Sequence, residues 1–256
     1  MSYGAEKGRE LTTNVGSREP REIRNVLIVT ALEHEFQAIT TRMQANGVSI
    51  GPYNGATERR KALKVHIVCS GIGSVAAAAA TATSLSLLGP FDLVLSAGIA
   101  GGFGSSGLRT GEVIVADEVI DAEYVLPAIV RSDPHLSTFS WPASSFVPES
   151  SMVELAESSI GARRGGIVTV PILTVTRERA ESLSRCFPKA IAEAMEGSGV
   201  ASVAATWNTG FGELRSISNS VGKLDASKWE VETALESLVQ AVERLLSALS
   251  DGATAD

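Results

Sequence analysis

Aromatic residues are scarce in this sequence, 5% of 256 positions, and cysteine (two) and histidine (three) are scarcer still. With hydrophobic residues at 44%, the core must be built from Ala, Val, Leu and Ile at close helix–sheet spacing, which suits a layered α/β fold. Cys69 lies in an apolar run and Cys186 beside Phe187, which reads as two buried thiols rather than a disulfide or metal pair, and fits a reducing cytoplasm. His34, His66 and His135 belong to no ligand-spaced cluster, so no metal site is expected. Basic residues number 22 against 29 acidic, a net charge of -7; with no stripe of Lys and Arg, phosphate backbones and therefore nucleic acid are excluded as partners. No apolar run approaches the roughly 20 residues that a membrane span needs. Residues 1–22 are polar and charged with no apolar segment of a signal peptide, and read as a disordered extension ahead of one domain, 23–256.

Strand and helix signals alternate along that domain. NVLIVTA (25–31) reads as a buried first strand followed by helical spacing from Glu33, and KVHIVCS (64–70) as a second strand leading through GIG into the Ala-rich helix SVAAAAATATSLSLL, which Gly89 and Pro90 stop. FDLVLSAG (91–98) is a third strand entering the Gly-rich turn IAGGFGSSG, and GEVIVADEVI (111–120) a fourth. Residues 127–150 hold four prolines and no periodic pattern, as a lid or binding loop would. GGIVTVPILTV is another strand region, EAMEGSGVASVAATW a helix, FGELRSIS a last strand, and 228–249 a closing amphipathic helix. The alternation implies one α/β domain with a mostly parallel, mixed central sheet flanked by helices.

Three stretches carry polar chemistry. CSGIGSVAAA places Gly71, Gly73 and Ala76 as a dinucleotide fingerprint would, but Asp92 stands at the start of the following strand, where no ribose-binding acid belongs; the glycines read better as a tight turn bringing free N–H groups to a site. Glu33, His34 and Glu35 suit a solvated first helical turn. Glu196 sits among Ala194, Met195, Gly197, Ser198 and Gly199, where an unpaired carboxylate would cost several kcal/mol, so it needs either an ion pair, with Arg215 as candidate, or a ligand bearing hydroxyl groups.

ALEHEF, SGIGSVAAA, SAGIAGG, GEVIVADE, CFPKAIAEAMEGSGVA and LRSISN occur in this order. In them the chain resembles the purine nucleosidase and phosphorylase superfamily, within it the methylthioadenosine/S-adenosylhomocysteine nucleosidases and most closely the futalosine hydrolases. The resemblance implies a single three-layer nucleoside phosphorylase-type domain, no cofactor, a nucleoside substrate, and a homodimer or larger homo-oligomer. By the same resemblance Glu35 activates water, Glu196 accepts hydrogen bonds from the ribose 2′ and 3′ hydroxyls with Met195 against the sugar, Ala100 and Gly101 line the sugar side, and Leu173 and Thr174 wall the base.

The departures are informative. Where the methylthioadenosine branch has Ser-Asp, this chain has Ser218 and Asn219. An Asn cannot pass a proton to purine N7, but its amide donates to N7 and to a 6-oxo group, pointing to hypoxanthine and so to futalosine, a nucleoside of menaquinone biosynthesis. An aminodeoxyfutalosine or methylthioadenosine nucleosidase is the alternative. Glu33 and Glu35 stand where phosphorylases commonly carry arginine, and like charge repels phosphate, so hydrolysis is expected. Ile99 replaces a common hydroxyl residue and Leu173 an aromatic. For the benzoate of futalosine, Arg131, His135 and Arg177 are candidates.

Overall fold

The computed structural model describes residues 12–14, 22–124, 143–223 and 225–252. The buried run Asn25–Thr30 forms β2 at the middle of the sheet. Its period-two alternation serves both faces: Leu27 and Val29 join the core beneath Ala77, Ala80, Val200 and Ala204, while Val26 and Ile28 pack with Ile39, Leu238, Val242 and Leu245. A three-layer α/β/α sandwich follows. The helices of the first face are α2 (Ser74–Leu88) and α5 (Gly197–Thr206); those of the second are α1 (Glu33–Met43), α3 (Ser150–Ile160) and α6 (Val231–Gly252). Helix α4 (Arg177–Cys186), capped by the Thr176 hydroxyl accepting from the Arg179 N–H, lies apart from both clusters.

The remaining strands are β1 (Thr12–Asn14), β3 (Asn46–Ile50), β4 (Tyr53–Arg60), β5 (Leu63–Cys69), β6 (Leu93–Gly102), β7 (Val113–Asp121), β8 (Ser145–Val147), β9 (Arg163–Thr169), β10 (Ala190–Ala194) and β11 (Gly210–Ser220). They follow the order β1-β8-β7-β9-β10-β6-β2-β5-β4-β3, with β11 joining β6 to β7. Strands β6, β10, β9, β7 and β11 therefore close on themselves as a ring, because β6 pairs with both β10 and β11. Parallel pairs such as β2–β6 and β7–β9 mix with antiparallel β3–β4–β5 and β10–β6, so the sheet is mixed as expected.

Several boundaries differ from the sequence reading. EAMEGSGVASVAATW is not one helix: Glu193 and Ala194 end strand β10, and the helix begins only at Gly197 with Glu196 as its N-cap. Tertiary pairing with β9 and β6 overrides the helical propensity of these alanines. The third strand runs on through IAGG to Gly102, so the turn expected from Ile99 begins only after it. The hairpin β3–β4 and helices α3 and α4 were not foreseen. Of 1–22, Thr12–Asn14 pair with Ser145–Val147, and most of the rest lies outside the described residues. Of the expected loop 127–150, residues 127–142 lie outside them, while 145–147 are strand β8 and Ser150 opens α3. Cys69 is half-buried and Cys186 exposed, both free; Cys186 ends the polar helix α4 and is not a core thiol.

Candidate active site

Three carboxylates and one guanidinium meet at the ends of β2, β6, β10 and β11. Glu35, in the first turn of α1, is buried; its Oε2 accepts from the N–H groups of Ala31 (3.0 Å) and Leu32 (2.9 Å), and its Oε1 from Ile99 N–H at 2.8 Å. The carboxylate is thereby fixed between the end of β2 and the middle of β6. Burial pushes its pKa up, opposed by Arg215 and the N–H groups of Leu32 and Ile99 and assisted by the charge of Glu196. Glycine at 98 permits this arrangement: a Cβ there would stand 2.6 Å from Glu35 Oε1 and 2.4 Å from Arg215 Nη1. Glu33 and His34 are exposed on the same turn, Glu33 accepting from the Gln37 amide.

Arg215 is almost wholly buried in β11. Its Nε donates to Glu213 Oε1 at 2.9 Å, its Nη2 to the Ser96 hydroxyl at 2.8 Å, and its Nη1 faces Glu196 Oε2 at 3.3 Å. Burial alone would lower the guanidinium's pKa, but Glu213, Glu196 and Glu35 together hold it charged and above its ordinary value. Burial likewise raises Glu213 against the pull of Arg215. Glu213 lies against the start of α5, where a Cβ on Gly197 would come within 2.1 Å of its Oε2.

The ion pair expected of Glu196 is thus present, yet it does not consume the carboxylate. Glu196 also accepts from Gly73 N–H (3.1 Å) and Met195 N–H (3.3 Å), and it lines a cavity of about 140 Å³. Gly73, at φ +97°, delivers its N–H there because the left-handed turn before α2 is open to glycine. A carboxylate offers about four acceptor positions, so Oε1 keeps one open toward the cavity.

That cavity is walled by Ala31, Leu32, Glu35, Ile72, Ile99, Ala100, Gly101, Leu173, Glu193, Ala194, Met195, Glu196, Ser218, Asn219 and Trp229. Of the residues singled out in the sequence, Glu35, Ile99, Ala100, Gly101, Leu173, Met195, Glu196, Ser218 and Asn219 come together there. Thr174 is not part of the wall; its N–H instead donates to Glu193 Oε1 at 3.0 Å. Arg177 is on the exposed face of α4, paired with Glu181 at 3.3 Å, and does not line the cavity; Arg131 and His135 lie outside the described residues. Sequence reasoning gave no role to Glu193, Glu213 or Trp229, whose buried indole N–H has no partner among the described residues.

Asn219 is aimed by a β-bulge. Ile217 pairs with Ala100 and Asn219 with Gly101, leaving Ser218 as the extra residue. The Ser218 hydroxyl donates to Asn219 Oδ1 at 2.9 Å, and Asn219 Nδ2 donates to Ser220 O at 3.3 Å. The amide keeps one N–H and an oxygen lone pair to offer, while the Ser218 hydroxyl also lies 3.3 Å from Ala100 O. Among the described residues, no Lys, Arg or His lines the cavity, no group could hold a metal ion, and no helix is long and apolar enough to cross a membrane.

The family model described as the phosphorylase superfamily matches residues 25–251. The chain belongs to this superfamily. Among curated relatives of this superfamily member, the futalosine hydrolase of Streptomyces coelicolor is 34% identical over 88% of this chain and 96% of its own length. That of Acidothermus cellulolyticus is 37% identical over 86% and 89%. Among solved structures, the 5′-methylthioadenosine/S-adenosylhomocysteine nucleosidase of Colwellia psychrerythraea, in complex with adenine, superposes with a TM-score of 0.77 at 27% identity, covering 89% of this chain and 96% of that one.

Proposed function

We propose that this chain hydrolyses the N-glycosidic bond of futalosine, releasing hypoxanthine and dehypoxanthine futalosine, a step of menaquinone biosynthesis. The observation that carries the reading is Asn219, which lines the cavity with one amide N–H beyond the one given to Ser220 O; that N–H suits N7 and O6 of a 6-oxopurine, which are both acceptors. The extensive likeness to two futalosine hydrolases supports it.

In this reading a water bound at Glu35 attacks C1′ of the ribose. The C1′–N9 bond breaks with its electron pair passing to the base, the water oxygen bonds to C1′, and one water proton passes to Glu35; the base anion then takes a proton from solvent, and Glu35 gives its proton up to solvent, which restores the carboxylate. A carboxylate whose pKa burial has raised is a stronger base than an exposed one. Glu35 and Glu196 place negative charge beside the cationic sugar of the transition state, and Asn219 hydrogen-bonds the charge that gathers on the base. The open position on Glu196 Oε1 receives a ribose hydroxyl, with Met195 beside the sugar. Water rather than phosphate is the nucleophile, because a phosphate dianion would meet three cavity-lining carboxylates, Glu35, Glu193 and Glu196, and no cation among the described residues that line the cavity. The enzyme works in the cytoplasm as a homodimer or larger assembly.

The test is release of free base, followed by chromatography, from futalosine, aminodeoxyfutalosine, methylthioadenosine and inosine in phosphate-free buffer. Hypoxanthine from futalosine alone is expected. Adenine release would move the activity to the 6-amino branch, and silence until phosphate is added would make it a phosphorylase.

A further inference from the structure

Glu193 is a buried carboxylate that the reaction above does not use. It is 4% exposed, lies in β10 three residues before Glu196 and forms part of the cavity wall. One oxygen, Oε1, accepts from Thr174 N–H at 3.0 Å; the other, Oε2, is buried with no hydrogen-bond partner among the described residues. Burial pushes its pKa up, against the neighbouring Thr174 hydroxyl and N–H and the charge of Arg179; that hydroxyl lies beside the carboxylate but outside hydrogen-bond geometry, and is itself buried without a partner among the described residues. A buried acceptor left unmet costs on the order of 1–3 kcal/mol, and one that lies in the wall of a binding cavity is met when a ligand brings a donor to it.

Its position says which ligand atom that is. A Cβ built on Gly101 would stand 3.4 Å from Asn219 Nδ2 and 3.6 Å from Glu193 Cγ, so the two side chains flank the same glycine and address the same end of the cavity. One offers an N–H and the other an unmet oxygen. A 6-oxopurine presents the complement along one edge: N7 and O6 accept, and the adjacent N1 carries a hydrogen. A 6-aminopurine reverses the last two, with an amino group at C6 and a bare lone pair at N1.

We propose that Glu193 is a specificity-determining residue, its free carboxylate oxygen accepting the N1–H of a 6-oxopurine base. The Thr174 N–H holds the carboxylate in place, and Asn219 and Glu193 together read the base edge as acceptor, acceptor, donor. An ionised carboxylate cannot donate to a bare N1, so a 6-aminopurine leaves both of them unpaired. The proposal rests on the nucleoside-hydrolase reading and names the residue that sets its base preference.

The experiment compares wild type and Glu193→Gln at pH 8, which favours the ionised carboxylate, by two independent readouts. The first is kcat/KM for futalosine and for aminodeoxyfutalosine. The second is calorimetric binding of the free bases hypoxanthine, 1-methylhypoxanthine and adenine. Gln keeps an oxygen for Thr174 N–H and can present either an oxygen or an N–H to N1. The expected result is a fall of roughly 10-fold or more in the futalosine to aminodeoxyfutalosine ratio, and a similar fall in the hypoxanthine to adenine affinity ratio. A merely structural role would lower both substrates together and leave the ratios unchanged, which would overturn the proposal. Should the variant fail to fold, wild type alone decides: equal binding of hypoxanthine and 1-methylhypoxanthine, which lacks the N1–H, would overturn it, and a preference of about 10-fold or more for hypoxanthine would uphold it. If wild type cleaves no futalosine, the function proposed above fails, while the base-binding ratios still judge Glu193.

Discussion

Arg215 Nη1 lies 3.3 Å from Glu196 Oε2 while its Nε binds Glu213 Oε1 at 2.9 Å, both inside the protein. One guanidinium thus joins a carboxylate of the cavity to one behind it, with Glu35 close enough to contribute to its charge balance. Arg215→Met would leave these carboxylates facing one another without a counter-ion, a change expected to cost about 3–5 kcal/mol or to prevent folding. Arg215→Lys is the sharper test. A single ammonium cannot meet Glu213, Ser96 and Glu196 along three directions, so this variant should fold with a lower urea midpoint and a raised KM. A KM equal to wild type would show that Arg215 does not position Glu196.

Glu35→Gln is expected to fold, to bind substrate, and to lose turnover by about 10²–10⁴-fold. Hydrolysis requires the ionised carboxylate, so wild-type activity should rise with pH through the Glu35 pKa. Because burial raises that pKa, the acid limb of kcat/KM should lie above the position an exposed glutamate would give. Stability runs the other way. A carboxyl whose folded pKa exceeds its unfolded value favours the folded state fully below the unfolded pKa and loses that contribution as pH rises through the folded one. Near-wild-type turnover in the glutamine variant would remove Glu35 as the base.

Much of this was legible in the sequence, and what was not has identifiable causes. Strands β2, β5 and β6 announce themselves as buried β-branched runs. Strand β10 does not: AIAEA has small side chains of low strand preference and runs directly into a helix. Reading it as helix hid Glu193, whose partner Thr174 is 19 positions earlier. The hairpin β3–β4 was missed because β3 is largely exposed and shows no apolar run. Glu35, Glu196 and Asn219 were found through motifs, whereas the Glu213–Arg215 pair, two residues apart on a strand buried throughout that stretch, carries no local signature until β6 is laid beside it.

Asn219→Asp should shift base preference. The aspartate can accept from a 6-amino group and, when protonated, donate to N7, whereas it repels O6 when ionised. The ratio of inosine-type to adenosine-type kcat/KM is expected to fall by about 10-fold or more. An unchanged ratio would mean that Asn219 does not face the base.

Gly98→Ala tests how closely the site is built. Its Cβ would press on Glu35 Oε1 and Arg215 Nη1, at 2.6 Å and 2.4 Å, well inside contact distance. Since both groups are anchored by other hydrogen bonds, neither can retreat freely. The expected outcome is a loss of about 1–3 kcal/mol in urea unfolding, together with at least 10-fold lower kcat as the Glu35 carboxylate shifts. Unchanged kcat in a folded variant would mean that the Glu35 position is not critical.

His66 gives the protein an acid sensitivity remote from this chemistry. The ring is buried in β5, meets Phe91 edge-on with centroids 5.5 Å apart, and neither nitrogen has a partner among the described residues. Burial, aided by the charge of Lys64, lowers its pKa from 6.5 to about 4. The unfolded chain therefore takes up a proton near pH 6.5 that the folded chain refuses until about pH 4, so stability is intact above that window and declines as pH falls through it. The loss should be on the order of 1–2 kcal/mol, part of the shift being relieved by nearby solvent. His66→Phe keeps a ring against Phe91 and cannot titrate, so its urea-unfolding free energy should gain on wild type between pH 6.5 and pH 4. Parallel stability curves for the two proteins across that range would show that the His66 ring stays neutral in both states or protonates in place.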